Sequence, residues 1–449
     1  MHRSGASRAG ERRPGSVARR LLRALTGGDP VRPPTLRTGE ERTASRLELF
    51  FDLAFVLVVA KLAGGLRADL SLHGLLVFAG LFGTVWWSWA GTTLYANRFD
   101  HDDVVYRLYK LIGMAAVIGL AASATEATGH LRGAFTGCQV VLRLILLLQY
   151  SRAYRHVPEA RPIVRLYLGG TAGGALLWAV SLFVPARVAF LLWGAAIAGE
   201  VLVPLLATRA RVSVPLHLEH LPERFALFVI LVLGESVAGV ANGISAAHWA
   251  APALAVGLLA FVLAAGLWWS YFELAGARAK RLLNEVGGER SRHQHDVYVF
   301  GQLPLTLALA GVGAGIQLAV QQAGAGEVPL GTRVLVAGGV AVYLAAGSLT
   351  NSAMEIRSAR RGWWWPLCAA AIAGIDALLE QPAVVVVGAL DVLLLLVVIL
   401  GSAERSADRL PVDPLRRSRS DGCRRPGIPG RRRSRHGPRS RCRRSRRPR

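Results

Sequence analysis

Charged residues inside long apolar stretches are the part of this sequence whose types and spacing most suggest chemistry. Glu48 and Asp52 are spaced i,i+4, so both carboxylates lie on one face of a helix. Lys61 follows nine residues after Asp52, deeper in the same stretch and on roughly the opposite face. A second stretch carries Glu223 and, further in, Glu235. If these stretches cross a membrane, each charge needs a partner or water.

Two interpretations of these charges stay open at this point. They form a proton relay, an ion site or a gate, or Lys61 and Glu235 form one internal ion pair that fixes how helices dock. The predicted pathway residues are Glu48, Asp52, Lys61, Glu223, Arg224, Glu235, Ser236 and Glu273. Polar residues predicted to form a cytoplasmic mouth are Asn97, Arg98, Asp100 and Asp102.

Aromatic clusters and further charges lie in other apolar stretches. WWSW at 86–89 and WWSY at 268–271 predict an interfacial aromatic belt, with stacking around a substrate or cation as the alternative. Arg143 lies deep enough to need a partner, for which Glu200 is the candidate. Another group of acidic residues either lines a pathway or marks weakly hydrophobic peripheral helices: Asp376, Glu380 and Asp391.

Signals for enzyme chemistry are weak. Gly311, Gly313 and Gly315 resemble part of a dinucleotide fingerprint, but they lie inside an apolar stretch with no strand before it. Small residues there predict close helix packing instead. No Ser-His-Asp, kinase or phosphate-loop pattern is legible, and the four cysteines form no metal-binding motif. We therefore expect no enzymatic activity, no cofactor and no metal.

Apolar runs of about 20 residues, each enough to span a bilayer core of roughly 30 Å, determine the fold class. Unpaired backbone groups are costly in lipid, so each run should be helical. The sequence predicts an all-α polytopic transmembrane bundle of about twelve helices. The runs lie near 48–66, 74–96, 105–125, 133–151, 163–184, 187–206, 224–243, 250–272, 297–320, 330–349, 363–380 and 384–401.

Part of this pattern repeats. LELFFDLAFVLVVAKLAGGL at 47–66 aligns with PERFALFVILVLGESVAGVA at 222–241 without a gap, and a tryptophan pair ends the next helix in each case. The repeat predicts two related six-helix halves, residues 47–206 and 207–401, an architecture common among secondary transporters.

The placement of the basic residues predicts orientation. The net charge is +24, yet one set of alternate connections, which includes 97–110, holds 18 Lys and Arg while the other holds four. The positive-inside rule then places both termini in the cytoplasm. Basic tails at 1–46 and 402–449 are predicted to be disordered. They either contact anionic lipid or only enforce topology, and nucleic-acid binding is disfavoured.

Four motifs in order carry a family resemblance: SRLELFFDLAFVLVVAKL, WWSWAGTTLYANRFDHDD, HLPERFALFVILVLGES and WWSYFE. Over about residues 45–400 the chain resembles the bacterial low temperature requirement protein A family. The resemblance implies a polytopic inner-membrane protein of a family first linked to growth in the cold, with no established biochemical activity. Lys61 stands where that family has an uncharged or small polar residue. The matching residues are Glu48, Phe51, Asp52, Asn97, Asp100, Glu223, Arg224, Gly234, Glu235 and Ser236.

The sequence therefore favours a secondary transporter of a small solute, coupled to an ion or to protons. Glu235 would be the coupling carboxylate, and Lys61 its partner or a gate. The alternative is a membrane scaffold or sensor that transports nothing and whose charges only hold helices together. A lipid-modifying enzyme is disfavoured because no nucleophile or metal cluster converges.

Overall fold

Long apolar helices make up almost all of the described chain. The computed structural model describes residues 32–36, 45–100, 103–209, 220–275, 289–354 and 364–409. Within these residues eleven helices are long and apolar enough to cross a membrane, so the predicted all-α polytopic class is confirmed. Helices dominate because each one satisfies its own backbone hydrogen bonds, which a bilayer cannot do.

The first part of the bundle contains six helices and two very short strands. The strands, β1 (Thr35–Leu36) and β2 (Phe99–Asp100), pair antiparallel. The helices are α1 (Arg46–Ala68), α2 (Leu72–Arg98), α3 (Val104–Ser123), α4 (Arg132–His156), α5 (Arg161–Val180) and α6 (Ala186–Arg209).

The second part contains six further helices in the described residues. They are α7 (His220–Ala246), α8 (Ala251–Trp269, continued by a π-helical turn at Ser270–Ala275), α9 (Glu289–Gln321), α10 (Leu330–Met354, with a π-helical segment at Val334–Gly338), α11 (Trp364–Asp376) and α12 (Ala383–Arg409). The described residues up to Ser402 belong to one compact unit. The second unit, Ala403–Arg449, is described only as the end of α12, residues 403–409.

One predicted span is shorter in the structure than in the sequence analysis. The run at 363–380 forms α11, whose 13 residues cover about 20 Å, less than the roughly 30 Å of a bilayer core. The turn after α11 lies beside the start of α10, because the Val328 N–H donates to the Gln381 carbonyl at 3.2 Å. Within the described residues the prediction of about twelve helices is therefore confirmed, with eleven helices long enough to span a bilayer and α11 as a shorter twelfth.

Helix α9 is the centre of the bundle. In its most apolar stretch 72% of residues are buried inside the protein, more than in any other candidate span. A Cβ added to Gly239 would lie 2.7 Å from the Gly313 carbonyl, so α7 and α9 approach closely where neither has a side chain. A Cβ added to Gly315 would lie 2.7 Å from Val336 Cγ2 of α10. The prediction of close packing is confirmed at Gly313 and Gly315, whereas a Cβ added to the buried Gly311 would meet no atom within 4 Å.

Serine caps fix where the first two helices begin. Ser45 and Glu48 form a reciprocal capping box at α1, with both hydrogen bonds at 3.2 Å. Ser71 caps α2 by accepting from the Gly74 N–H at 3.2 Å. Any side chain at Gly74 would meet the Asp69 carbonyl, 2.0 Å from its Cβ. These caps set the register of Glu48 and of the tryptophans on α2.

Residues 32–36 belong to the bundle rather than to a disordered tail. β1 pairs with β2 at the end of α2, and the Arg152 guanidinium donates to the Arg32 carbonyl at 2.7 Å. The predicted disorder over 1–46 thus does not extend to these five residues. Most of the remaining tail residues, including 410–449, lie outside the described residues.

The two tryptophan clusters have different surroundings. Trp86, Trp87 and Trp89 are buried in the bundle, so the predicted interfacial belt is wrong for them. Trp268 and Trp269 are 44% and 52% exposed, as a belt requires. The first cluster is enclosed because α2 lies between α1, α4 and α7.

Candidate functional site

A buried group of charges joins the starts of α1 and α7. Arg224 Nη1 donates to Glu48 Oε2 at 3.1 Å, and Arg224 Nη2 lies 3.2 and 3.1 Å from the two carboxylate oxygens of Asp52. All three side chains are buried. The i,i+4 spacing puts both carboxylates on the face of α1 that meets α7. The predicted pathway residues Glu48, Asp52 and Arg224 are therefore brought together.

Three further side chains complete this group, which we call the Arg224 cluster: Glu48, Asp52, Arg224, Trp89, Tyr106 and Lys110. Trp89 Nε1 donates to Asp52 Oδ1 at 2.9 Å, and the Tyr106 hydroxyl donates to Glu48 Oε1 at 3.2 Å. Lys110 is buried with its Nζ over the Tyr106 ring, 5.5 Å from the centroid. The cluster thus contains two acidic side chains, Glu48 and Asp52, and two basic ones, Arg224 and Lys110, so that its buried charges balance.

Lys110 is a member of this cluster that the sequence analysis missed. It was assigned to the connection 97–110, but α3 begins at Val104, so Lys110 lies almost two turns inside the helix. Its i,i+4 spacing from Tyr106 puts both side chains on one face, the signal that would have identified it. Glu223 lies next to Arg224 but is exposed.

Arg67, rather than Lys61, is the partner of Glu235. Arg67 Nη1 donates to Glu235 Oε1 at 2.9 Å, with side-chain exposures of 18% and 8%. Lys61 is exposed on the outer face of α1. The reason is the rotation of side chains around the axis of α1. Lys61 comes nine residues after Asp52, so it points away from the face that meets α7. Arg67 comes fifteen residues after Asp52, which brings it back to that face. The predicted approach of Lys61 to Glu235 is wrong.

Glu235 and Ser236 lie where α7 touches α9. A Cβ on Gly313 would be 3.0 Å from Glu235 Cγ and from the Ser236 backbone nitrogen. Ser236 is wholly buried, and its Oγ has no hydrogen-bond partner among the described residues. The missing side chain at Gly313 therefore leaves room for the Glu235 side chain between α7 and α9.

A second buried ion pair joins α4 and α6. Arg143 Nε and Nη2 donate to the two oxygens of Glu200 at 2.7 and 3.1 Å, and Arg143 Nη1 donates to Gln139 Oε1 at 2.7 Å. Glu200 lies against Gly174 of α5, where an added Cβ would come 2.0 Å from Glu200 Oε1. The predicted partnership of Arg143 and Glu200 is confirmed.

This ion pair lines a partly enclosed cavity of about 40 Å³ between α2, α4, α5 and α6. Tyr150 and Tyr167, stacked with centroids 5.2 Å apart, form one wall. The cavity is lined by aromatic faces, five hydroxyl-bearing residues and charges of both signs. The full lining is Trp87, Ser88, Gly91, Thr92, Leu94, Leu142, Arg143, Leu146, Tyr150, Tyr167, Thr171, Glu200 and Val203. None of the predicted pathway residues is among them.

The predicted cytoplasmic mouth is only partly described. Asn97 and Arg98 are 3% and 5% exposed, so they do not line an open mouth. Arg98 instead donates from Nη2 to the Tyr167 hydroxyl at 2.9 Å, with its guanidinium 4.7 Å from that ring centroid. Asp100 is described by its backbone in β2, and Asp102 lies outside the described residues. Glu273 is exposed at the π-helical end of α8.

Asp103 organises the end of this region. Its Oδ1 accepts from the Tyr106 N–H at 3.0 Å, capping α3, and from Arg152 Nη1 at 3.1 Å. Its Oδ2 accepts from the Arg32 N–H at 3.2 Å and from Arg152 Nη2. Burial alone would raise the pKa of Asp103, but these hydrogen bonds outweigh it and hold the pKa below its ordinary value. Among the described residues, no group of three His, Cys, Asp or Glu side chains is placed to hold a metal ion.

Comparisons with known proteins agree with the sequence motifs. An uncharacterized protein of Rhizobium meliloti (strain 1021) is 27% identical over 296 residues, which cover 62% of this chain and 71% of that protein. The family model described as bacterial low temperature requirement A protein (LtrA) matches residues 43–399. The matched region contains the first ten candidate spans completely and all but the last five residues of the eleventh, in α12. The chain therefore belongs to the LtrA family.

Proposed function

We propose that this protein is a secondary transporter that moves a small polar solute across the bacterial inner membrane. The observation that carries the proposal is the cavity at Arg143 and Glu200. Arg143 is the twelfth of the 25 residues of α4, so the cavity lies near the middle of a membrane span. Secondary transporters bind substrate near the membrane midplane, between helices of the bundle.

The lining of the cavity suggests how a solute would bind. Tyr150 and Tyr167 offer ring faces, and Ser88, Thr92 and Thr171 are hydroxyl residues. A solute with an anionic group would pair with Arg143 and free Glu200 to bind a cation or a proton. A cavity of about 40 Å³ holds only a few water molecules, so a solute enters after the helices separate. Such opening and closing is what alternating access requires.

The test uses the purified full chain in proteoliposomes with an imposed proton gradient. The probes are a panel of labelled amino acids, organic acids, sugars and small amines, added one at a time. We expect gradient-dependent accumulation of at least one class in wild type and its loss in Glu200→Gln. Glu126→Gln is the matched control, because Glu126 is half-exposed in the turn after α3 and pairs with His130. It should transport like wild type.

One result would overturn the transporter proposal, and another would overturn the assigned binding site. One is that no probe accumulates in wild-type vesicles above protein-free vesicles. The other is that Glu200→Gln accumulates every transported probe as wild type does. The second would show that the cavity is not the binding site.

The second candidate is a scaffold or sensor that transports nothing. The Arg224 cluster and the Arg67–Glu235 pair favour it, because both tie α1 to α7 and both are satisfied internally. A buried ion pair is replaceable by apolar side chains of similar volume when it serves only packing. Under this candidate, Arg67→Met combined with Glu235→Met would retain the stability of the wild type, and wild-type vesicles would accumulate no probe. A large loss of stability in the double variant would contradict a packing-only role.

We also propose how the protein is oriented in the membrane and what its basic tails contact. Both termini are cytoplasmic, supported by the concentration of basic residues on one set of connections. The basic tails contact anionic lipid headgroups, since each Lys or Arg near such a surface contributes about 1 kcal/mol. A role in growth at low temperature follows the family name and is tested by the growth rate of a deletion strain in the cold.

A further inference from the structure

Asp391 is a carboxylate inside the membrane bundle, and it has no role in the binding of solute proposed above. It is the ninth residue of α12, about 12 Å along the helix from Ala383 and therefore near the middle of that span. Both carboxylate oxygens are shielded from the surface. Neither oxygen has a hydrogen-bond partner among the described residues.

The surroundings of Asp391 are apolar. Val387, Leu390 and Leu394, on the neighbouring turns of α12, are at most 1% exposed. The Leu394 side chain lies against Gly266 of α8, where an added Cβ would be 3.2 Å away, and Leu259 of α8 lies near Gly388. The Asp391 turn therefore lies between two contacts of α12 with α8.

Within α8 and α12 as the structure describes them, no opposite charge lies beside this carboxyl. The α8 sequence from Ala251 to Trp269 contains no titratable residue, and Asp391 is the single charged residue of α12 between Ala383 and Ser402. An isolated ionised carboxylate in such a place costs far more free energy than the neutral acid, so the group takes up a proton instead.

Four other carboxylates in the candidate spans differ. Glu48 and Asp52 pair with Arg224, Glu200 pairs with Arg143, and Glu235 pairs with Arg67. A guanidinium stabilises the ionised form of each. Glu235, the carboxylate predicted to couple transport, therefore has a fixed counter-charge, whereas Asp391 has none in the described residues.

We propose that Asp391 is a proton-binding site and carries the coupling proton of the transport cycle. The carboxyl is neutral while α12 packs on α8. It releases the proton to water when that contact opens and takes one up from the opposite side before the contact closes. This assignment rests on the proposed transport function, but protonation of Asp391 can be measured without transport.

The test is labelling of the full chain in proteoliposomes with N,N′-dicyclohexylcarbodiimide, read by peptide mass spectrometry. A protonated carboxyl gives its proton to one carbodiimide nitrogen while its oxygen bonds to the central carbon. Migration of the acyl group to nitrogen then leaves a stable N-acylurea. An ionised carboxylate lacks the proton that this reaction needs.

We expect label at Asp391 at neutral pH, less label as the pH becomes alkaline, and none at this position in Asp391→Asn. Glu200 and Glu235 should stay unlabelled. Asp376→Asn is the matched control, because Asp376 ends α11 and accepts a hydrogen bond from Gln381. Label at Asp391 should persist in that variant.

Absence of label at Asp391 in wild type at every pH overturns the proposal, and this result needs no variant that must fold. Proton-driven uptake in the same vesicles separates the outcomes. Label at Asp391 with uptake lost in Asp391→Asn supports the coupling role. Label with uptake unchanged in Asp391→Asn overturns coupling and leaves the transporter proposal standing. Label without any wild-type uptake supports the proton site and overturns transport.

Discussion

Two basic residues of α1, six positions apart, show how strongly helix face determines the environment of a charge. Arg67 is mostly buried and pairs with Glu235, whereas Lys61 is exposed on the outer face. A long flexible side chain on the outer face can extend its charge toward water. The buried carboxylate of Glu235 cannot reach water in this way, so its charge is stabilised by the guanidinium beside it.

Arg67→Leu should destabilise the protein by about 3–5 kcal/mol, because it leaves Glu235 buried without its counter-charge. Lys61→Leu should change the free energy of unfolding by no more than about 0.5 kcal/mol. The measurement is denaturant titration of each variant in mixed micelles. Adding Glu235→Leu to Arg67→Leu should restore part of the loss. Equal effects at positions 61 and 67 would contradict the assigned pairing.

Asp103 gives a prediction for the dependence of stability on pH. Its folded pKa lies below the ordinary value of about 3.9, so the unfolded state binds more protons in acid. The stabilisation is therefore complete above about pH 4 and is lost as the pH falls through the lowered folded pKa. Asp103→Asn keeps the α3 cap but removes the charge. In this variant the free energy of unfolding should depend less steeply on pH in this acidic range. An unchanged slope would show that Asp103 is not the source of the pH dependence.

At the scale of elements, glycines decide how closely helices approach and so where charges can meet. Gly170 and Gly174 lie on one face of α5, and α6 places Val203 and Glu200 against them. An added Cβ at Gly170 would be 2.2 Å from Val203 Cγ2. The absence of side chains at these two positions makes room for the Glu200 carboxylate between α5 and α4.

Gly174→Ala should displace Glu200 from Arg143, because the new Cβ would lie 2.0 Å from Glu200 Oε1 and 2.7 Å from its Cδ. We expect lower stability and loss of the uptake that depends on the cavity. Gly173→Ala is the matched control, since an added Cβ there meets nothing within 4 Å. It should stabilise α5 by up to about 1 kcal/mol. Thermal unfolding in micelles and uptake in vesicles distinguish the two, and similar behaviour of both variants would refute the close α5–α6 contact.

For the whole molecule, the two ends of α1 are tied to α7 while the cavity lies elsewhere. Arg224 pairs with the first turns of α1, and Arg67 near the end of α1 pairs with Glu235. The two helices therefore run in the same direction. This parallel pairing fits a duplicated bundle, but whether the halves 47–206 and 207–401 are related stays a prediction.

Orientation of the whole protein is tested by reporter fusions. With both termini cytoplasmic, alkaline phosphatase joined after Trp249, between α7 and α8, should be active. The same enzyme joined after Val157, between α4 and α5, should be inactive. A fluorescent protein at the C-terminus should fluoresce. Phosphatase activity at Val157 or at the C-terminus would reverse the proposed orientation.

Much of the architecture could be predicted from local pattern, because hydropathy and charge are properties of single segments. The length of the apolar runs predicted about twelve helices, and twelve are described, of which eleven are long enough to span a bilayer. The depth of Arg143 in its run predicted that it needs a partner such as Glu200. The partner of Glu235 could not be obtained in this way. Alignment placed Glu235 one position from the equivalent of Lys61, whereas the partner is set by which face of α1 meets α7.

The sequence alone determined the membrane class, the positions of most helices and the family, since each depends on hydrophobic length and on motifs within one segment. Tertiary structure alone decided the Arg67–Glu235 pair, the burial of Trp86, Trp87 and Trp89, the membership of Lys110 in the Arg224 cluster and the cavity at Glu200. Contacts between segments distant in the chain depend on helix rotation and on glycine-mediated approach. Neither can be obtained from the composition of one segment.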